Sequence, residues 1–257
     1  MRRFLVELEY NGKNFYGWQA LPEHRTVQGV VEQALYELFG KTSAVGCSRT
    51  DAGVSASQYF FHFDAETGFP ADRICHKLNR FLPADCQAQS SIEVTADFDA
   101  RRDCVAKTYE DALYAGDIGR PLLNATHYRI VHGINVDAMR DAAARLVGTH
   151  DFSAFRAHNA DCKSATRTVL NATVVSDGCA HRIRITADGF LYKMMRNVAG
   201  CLALVGKGKL APEAIDNLLQ TGERGEWMTL PAKGLRLVRV SYDPDHLAQC
   251  TVARRKG

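Results

Sequence analysis

The opening forty residues limit the fold of this chain more than any other stretch. Residues 3–10 alternate Phe4, Val6, Leu8 and Tyr10 against Glu7 and Glu9, the period of a half-buried strand. Val27, Val30, Val31, Ala34, Leu35, Leu38 and Phe39 then recur at helical spacing, with Thr26 placed to cap that helix and Gly40 to close it. A short strand near 44–47, a strand at 58–63, a helix near 70–80 and a strand near 88–94 follow. A strand–helix–strand–strand–helix–strand order predicts a ferredoxin-like split unit.

The rest of the chain reads similarly. Strands are expected at about 105–115 and 126–131, then a helix from about 137 to 147. Strands near 166–175 and 180–187 precede a helix from about 190 to 205, a short helix at 212–220 opened by Pro212, and a final strand at 235–240. The fold class is therefore α+β, with units expected at 1–100 and 101–257. The join near 97–105 has no Gly/Ser linker, so the units are expected to be tightly coupled.

Composition enters through charge. The formal net charge of +3 conceals a division: residues 1–128 carry 13 Lys+Arg against 17 Asp+Glu, and residues 129–257 carry 19 against 12. A basic half joined to an acidic half suggests a polyanionic partner, although solvated faces produce the same imbalance. No uncharged apolar stretch is long enough for a membrane helix. The eight cysteines, at 47, 75, 86, 104, 162, 179, 201 and 250, contain no Cys-x-x-Cys pair. Without that spacing, or any His-x3-His pair, no zinc site is expected; the chain is too long and too rich in core for a disulfide scaffold, and most of the thiols are expected to be small buried hydrophobes in a reducing compartment. The chain starts Met1-Arg2-Arg3 and goes straight into a strand pattern at Phe4, so no signal peptide is expected and the cytoplasm is the expected location.

Five segments can carry chemistry. Cys47-Ser48-Arg49-Thr50-Asp51-Ala52-Gly53-Val54 is a loop between strand signals that can present Arg49 and Asp51 to one side. An arginine held against an aspartate favours an ionised carboxylate, useful as a nucleophile; an Asx-type turn with a surface ion pair reads the same way. Lys107-Thr108-Tyr109-Glu110-Asp111 is a strand whose Tyr109 offers a flat face and a phenol, or serves as core. In the helix from Gly189 to Gly200, Lys193, Arg196, Asn197 and Gly200 form a stripe opposite a broad apolar face, either solvated or meeting phosphate or a carboxylate. Lys207 and Lys209 follow its end. Arg182 and Arg184 alternate onto one strand face, and Leu235 follows the turn Pro231-Ala232-Lys233-Gly234.

Taken together and in order, these segments resemble the TruA family of tRNA pseudouridine synthases. Ser48-Arg49-Thr50-Asp51-Ala52-Gly53-Val54 is similar to that family's active-site loop. Tyr10-Asn11-Gly12, Phe15-Tyr16-Gly17-Trp18-Gln19, Thr26-Val27-Gln28-Gly29, Phe98-Asp99-Ala100-Arg101, Lys107-Thr108-Tyr109, His150-Asp151-Phe152-Ser153-Ala154-Phe155-Arg156, Phe190 to Gly200 and Ala232-Lys233-Gly234-Leu235 complete the match. The resemblance implies two ferredoxin-like (RRM-like) units whose antiparallel sheets join around a central active-site cleft. It implies an isomerase that converts uridine to pseudouridine in the tRNA anticodon arm, at positions 38 to 40, with no cofactor and no metal. A homodimer is also implied, with tRNA lying across both subunits. Residue by residue, Asp51 is the implied catalytic carboxylate, attacking ribose C1′ or the uracil ring or assisting departure of the base. Arg49 holds the RNA around the flipped uridine, and Arg196 pairs with Asp51 and aims it. Tyr109 packs on the uracil and Leu235 covers its other side. Lys193, Lys207, Lys209, Arg182 and Arg184 are expected RNA contacts. Three positions depart from the family pattern: Ser48 for Gly, Ser55 for His, and Asp111 where an aromatic or aliphatic residue is common. A non-catalytic RNA-binding module on the same scaffold is the alternative. The intact set of Asp51, Arg49, Tyr109 and Arg196 argues against it.

Overall fold

The alternating apolar residues at the start of the chain form strand β1 (Arg2–Tyr10), followed by helix α1 (Val27–Phe39). The structure is a computed structural model that describes residues 1–157 and 164–252; Cys162 lies outside them. Thr26 caps α1, its side chain accepting from the Gly29 N–H, and Gly40 ends it with φ +77°. Strands β2 (Val45–Gly46) and β3 (Ser55–Ala65), helix α2 (Ile74–Leu78) and strand β4 (Cys86–Val94) follow. The chain continues with β5 (Cys104–Ala115), α3 (Pro121–Asn124), β6 (Tyr128–Ile130), α4 (Val136–Ala144) and β7 (Gly148–Asp151). Then come β8 (Thr166–Asp177), β9 (Ala180–Ala187), α5 (Met194–Gly206), α6 (Ala214–Thr221), β10 (Leu235–Tyr242) and α7 (Pro244–Cys250).

The described residues form two compact units: residues 1–105 with 237–252, and the described part of 106–236. The final segment thus packs with the beginning of the chain rather than with the second half, a long-range return that local periodicity does not signal. In the first unit β1 lies between β4 and β3, antiparallel to both, and β3 also pairs with β2 and neighbours β10. The register sets Phe4 opposite Phe63, Val6 opposite Phe61 and Leu8 opposite Tyr59, so large apolar groups stack in cross-strand rows. All six are buried, and Val27, Val31, Ala34 and Leu35 of α1 are buried with them. Within this unit Tyr242 at the end of β10 donates its hydroxyl to the Ala100 carbonyl at 2.7 Å.

In the second unit the order is β5-β9-β8-β7, antiparallel throughout, with β6 added parallel to β5. Its core contains Leu113, Ile130, Met139, Leu146, Phe152, Phe155, Ile183, Val198 and Leu202, all fully buried. Helix α5 departs from expectation at its start. Lys193 has φ +58°, a left-handed conformation that no helix propagates, so the helix begins at Met194 rather than near 190. It also departs in its faces. Every residue of α5 except Arg196 and Leu204 is buried, so the stripe containing Asn197 and Gly200 is not a solvated face. The periodicity also leaves out β7, α3 and α7, which are short elements. Among the described residues no helix is long and apolar enough to cross a membrane.

Gly200 shows how tightly α5 is enclosed, since a Cβ there would lie 2.0 Å from the Met228 carbonyl oxygen. Backbone, unlike the tip of a flexible side chain, cannot move aside cheaply. Gly200→Ala is therefore expected to lower stability by about 1–3 kcal/mol, as measured by urea unfolding. Gly68→Ala, where nothing lies within 4 Å, should change it little.

Candidate active site

The loop from Cys47 to Val54 has a backbone held from several sides within the first unit. Cys47 N–H donates to the Phe60 carbonyl at 2.8 Å, and the Tyr59 hydroxyl donates to the Ser48 carbonyl. Trp18 N–H donates to the Thr50 carbonyl at 3.1 Å, and the hydroxyls of Tyr10 and Thr50 are hydrogen-bonded at 2.8 Å in a buried position. Gly53 N–H donates to the Phe15 carbonyl and Val54 N–H to the Asp51 carbonyl, both at 3.1 Å. The second bond closes a turn in which Gly53 adopts φ +82°, a conformation glycine adopts without steric cost. The result is a rigid backbone with Thr50 buried, Asp51 half-buried and the Arg49 side chain exposed.

Two further glycines permit this packing. A Cβ on Gly12 would lie 2.1 Å from the Val54 carbonyl oxygen, and one on Gly17 would lie 2.5 Å from that of Thr50. The segment Tyr10 to Trp18 is thus the support for the loop, a role its sequence does not reveal by itself. Ser55 acquires an explanation here: its Oγ accepts the Gly12 N–H at 3.0 Å, fixing the same support.

The remaining expected site residues belong to the second unit. Tyr109 on β5 is buried and meets the Phe190 ring edge-on at 4.8 Å. Leu235 is buried at the start of β10, after the 3-10 turn Ala232–Gly234. Arg196, half-buried on α5, donates its Nε to the Leu230 carbonyl at 2.6 Å, and its own carbonyl accepts the Leu230 N–H at 3.2 Å. Asn197 beside it is fully buried. Its Nδ2 donates to the Phe155 carbonyl at 2.8 Å, and its Oδ1 accepts from the Thr229 hydroxyl at 2.5 Å and from Arg224 at 3.1 Å. Asn197 is therefore a structural anchor that holds the helix carrying Arg196. Lys193 stands half-buried at the start of α5 with its Nζ 5.0 Å from the Tyr192 ring centroid, and Lys207 and Lys209 are exposed beyond its end.

Strand β5 separates two neighbouring acids onto opposite faces. Glu110 pairs in register with Arg184 and shares that face with Arg182 and Arg236. Its carboxylate lies 2.6 Å from Arg184, 2.9 Å from Arg236 and 3.8 Å from Arg182, while those side chains keep 51%, 48% and 42% of their exposure. Burial raises the Glu110 pKa, but the hydrogen bonds and charges of Arg184 and Arg236 outweigh it and hold the group below the ordinary glutamate value. Arg182 and Arg184 are therefore partners of a carboxylate as well as surface cations. Asp111 faces the other way, opposite Ile183, and is fully buried. Neither of its oxygens has a hydrogen-bond partner among the described residues. Burial pushes it up to about 8, opposed only in part by the positive charge of Arg196.

Cys47, Cys75, Cys86, Cys201 and Cys250 are buried, and burial pushes the Cys86 and Cys201 thiols up to about 12, as for small core hydrophobes. Among the described residues no three His, Cys, Asp or Glu side chains gather as a metal site requires.

Comparison with known proteins sets these residues in context. A family model described as tRNA pseudouridine synthase matches residues 142–243. The chain is 37% identical over 244 residues to "tRNA pseudouridine synthase A" of Acetivibrio thermocellus, covering 94% of this chain and 100% of that protein. It is 38% identical over 245 residues to the protein of the same name from Geobacter sp. (strain M21), covering 94% and 99%. The counterpart from Clostridium acetobutylicum is 37% identical over 245 residues, covering 94% and 100%. With a pinned Arg49-Thr50-Asp51 loop in one unit, the Arg196 helix in the other and this identity along nearly its whole length, the chain belongs to the TruA family of tRNA pseudouridine synthases and is an isomerase.

Proposed function

We propose that this protein converts uridine to pseudouridine in the anticodon arm of tRNA, at positions 38 to 40, with Asp51 as the nucleophile. The N1–C1′ bond breaks, the uracil turns, and a C5–C1′ bond forms. C5 loses its proton and N1 gains one, so nothing is oxidised or consumed and the reaction needs no cofactor. Asp51 attacks either C1′ or the uracil ring. Arg196 pairs with it and aims it, Arg49 holds the RNA open around the extruded uridine, Tyr109 packs on the uracil and assists removal of the C5 proton, and Leu235 covers the other side of the base.

The observation that carries this reading is the pinned loop. Hydrogen bonds from Trp18, Gly53 and Val54 and the buried Tyr10–Thr50 hydroxyl pair fix its backbone, with Asp51 half-buried and Arg49 exposed on either side of Thr50. A preorganised backbone spares the reaction the cost of ordering the nucleophile. Extruding the target base costs roughly a few kcal/mol, which phosphate contacts by Lys193, Lys207, Lys209, Arg182 and Arg184 offset. The reading includes a homodimer in the cytoplasm with tRNA across both subunits. It also includes ferredoxin-like units whose sheets join around the active-site cleft, in keeping with the order β4-β1-β3 with β2 on β3.

Two measurements test these assignments. With tRNA tritiated at uracil C5, the wild-type protein should release label and Asp51→Asn should release none while still binding tRNA. Equal release from both would remove Asp51 from the chemistry, and tight binding with no release from either would leave an RNA-binding module. For the basic face, Arg182→Gln leaves Glu110 its two nearer arginines. It should weaken tRNA binding and reduce the slope of log K against log salt by about 1. An unchanged slope would make Arg182 a partner of Glu110 alone.

A further inference from the structure

The mechanism above leaves unused a buried acid that no arginine satisfies by a hydrogen bond. Asp111 sits two residues after Tyr109 on the same face of β5, the apolar face shared with Ile183, Ile185 and Leu113, each at most 1% exposed. Gly234 closes the site from the turn before Leu235: a Cβ there would lie 2.6 Å from Asp111 Oδ1 and 2.6 Å from the Ala112 carbonyl oxygen. The acid is enclosed, and neither of its oxygens receives a hydrogen bond among the described residues.

The charged and titratable groups around Asp111 are few. From α5, Arg196 is the charge that acts on it. On its own strand Tyr109 shares its face, while Glu110 points to the opposite face and is satisfied there by arginines. From β9, Ile183 and Ile185 offer no charge. His181 lies further along that face, with its Nδ1 hydrogen-bonded to Ser176 at 2.9 Å and its pKa lowered by burial and then by Arg140. From the turn, Lys233 is directed to the Asn124 carbonyl at 2.7 Å. Among the described residues, the charge that acts on an ionised Asp111 is the guanidinium of Arg196.

We propose that Asp111 is a positioning residue for the isomerisation: in its neutral form it leaves the charge of Arg196 undivided for the reacting carboxylate, and when it ionises it draws that charge to itself and slows turnover. This rests on the reading that Arg196 serves Asp51. Burial holding the group near 8 supports it, because the neutral form then prevails at about pH 7 and the ionised form at about pH 9. The sign follows from deprotonation: turnover falls as pH rises through that value.

The test is the single-turnover rate at saturating tRNA, compared at about pH 7 and about pH 9. Wild-type protein should be slowed about tenfold at the higher pH, the factor by which the neutral fraction falls one unit above its midpoint. In Asp111→Asn, which cannot ionise, the two rates should agree within about twofold, and Asp111→Leu should behave likewise. A purely structural role would alter stability but leave the ratio of the two rates as in wild type. Identical ratios in wild type and Asp111→Asn would overturn the proposal. Should neither variant fold, wild-type protein is read directly by the infrared carbonyl band of a buried carboxylic acid. That band should be present at about pH 7 and lost at about pH 9, and its absence at the lower pH would overturn the proposal. If Asp51→Asn retains turnover, the reading of the site fails first. If Asp51→Asn is inactive while the two ratios coincide, only the role of Asp111 falls.

Discussion

The first unit depends on backbone passing against backbone without side chains between. At Gly12 and Gly17 the opening segment of the chain reaches the Arg49–Val54 loop so closely that no Cβ fits. That approach lets the amides of Trp18 and Gly53 join in a shared hydrogen-bond network and buries the Tyr10–Thr50 hydroxyl pair. Each of these bonds contributes only about 0.5–1.5 kcal/mol on its own. Their joint effect is geometric, because they fix Thr50 and with it the backbone positions of Arg49 and Asp51. The stacked aromatic rows of β1 and β3, and the ring of Trp18 on Tyr59 at 4.3 Å, provide the base on which the loop stands.

The second unit applies the same economy to charge. Glu110 and Asp111 are adjacent on one strand, yet their environments drive them apart. One is surrounded by arginines and held ionised; the other is enclosed by aliphatic side chains and pushed toward its neutral form. Strand alternation alone produces this separation, since consecutive side chains point to opposite faces. The net charge of +3 is the remainder of an acidic first half and a basic second half. Part of the positive charge is spent internally, around Glu110, rather than displayed whole to a polyanion.

What the sequence made legible follows from the range of the interactions concerned. Helix α1 was readable from Thr26 to Gly40 because its cap, periodicity and terminator are all local. The start of α5 is not legible, because the positive φ of Lys193 has no local signature in the sequence. Its polar stripe suggested solvent, but Asn197 is consumed by Phe155, Thr229 and Arg224, partners 27 to 42 residues distant in the chain. The return of residues 237–252 to the first unit is likewise a long-range pairing. The proposed site residues Asp51, Arg49, Tyr109, Arg196 and Leu235 are indicated by a resemblance spread across the chain rather than by any single motif. The state of Asp111 was invisible, because burial and the lack of a donor are properties of the fold.

The proposed reaction is isomerisation of uridines in the tRNA anticodon arm. The measurement that meets it most directly is carbodiimide mapping by primer extension on an unmodified tRNA transcript with uridine at positions 38, 39 and 40, after incubation with the wild-type protein. The account predicts new reverse-transcription stops confined to those positions. A transcript that gains no stops there, or gains them only elsewhere, would contradict it.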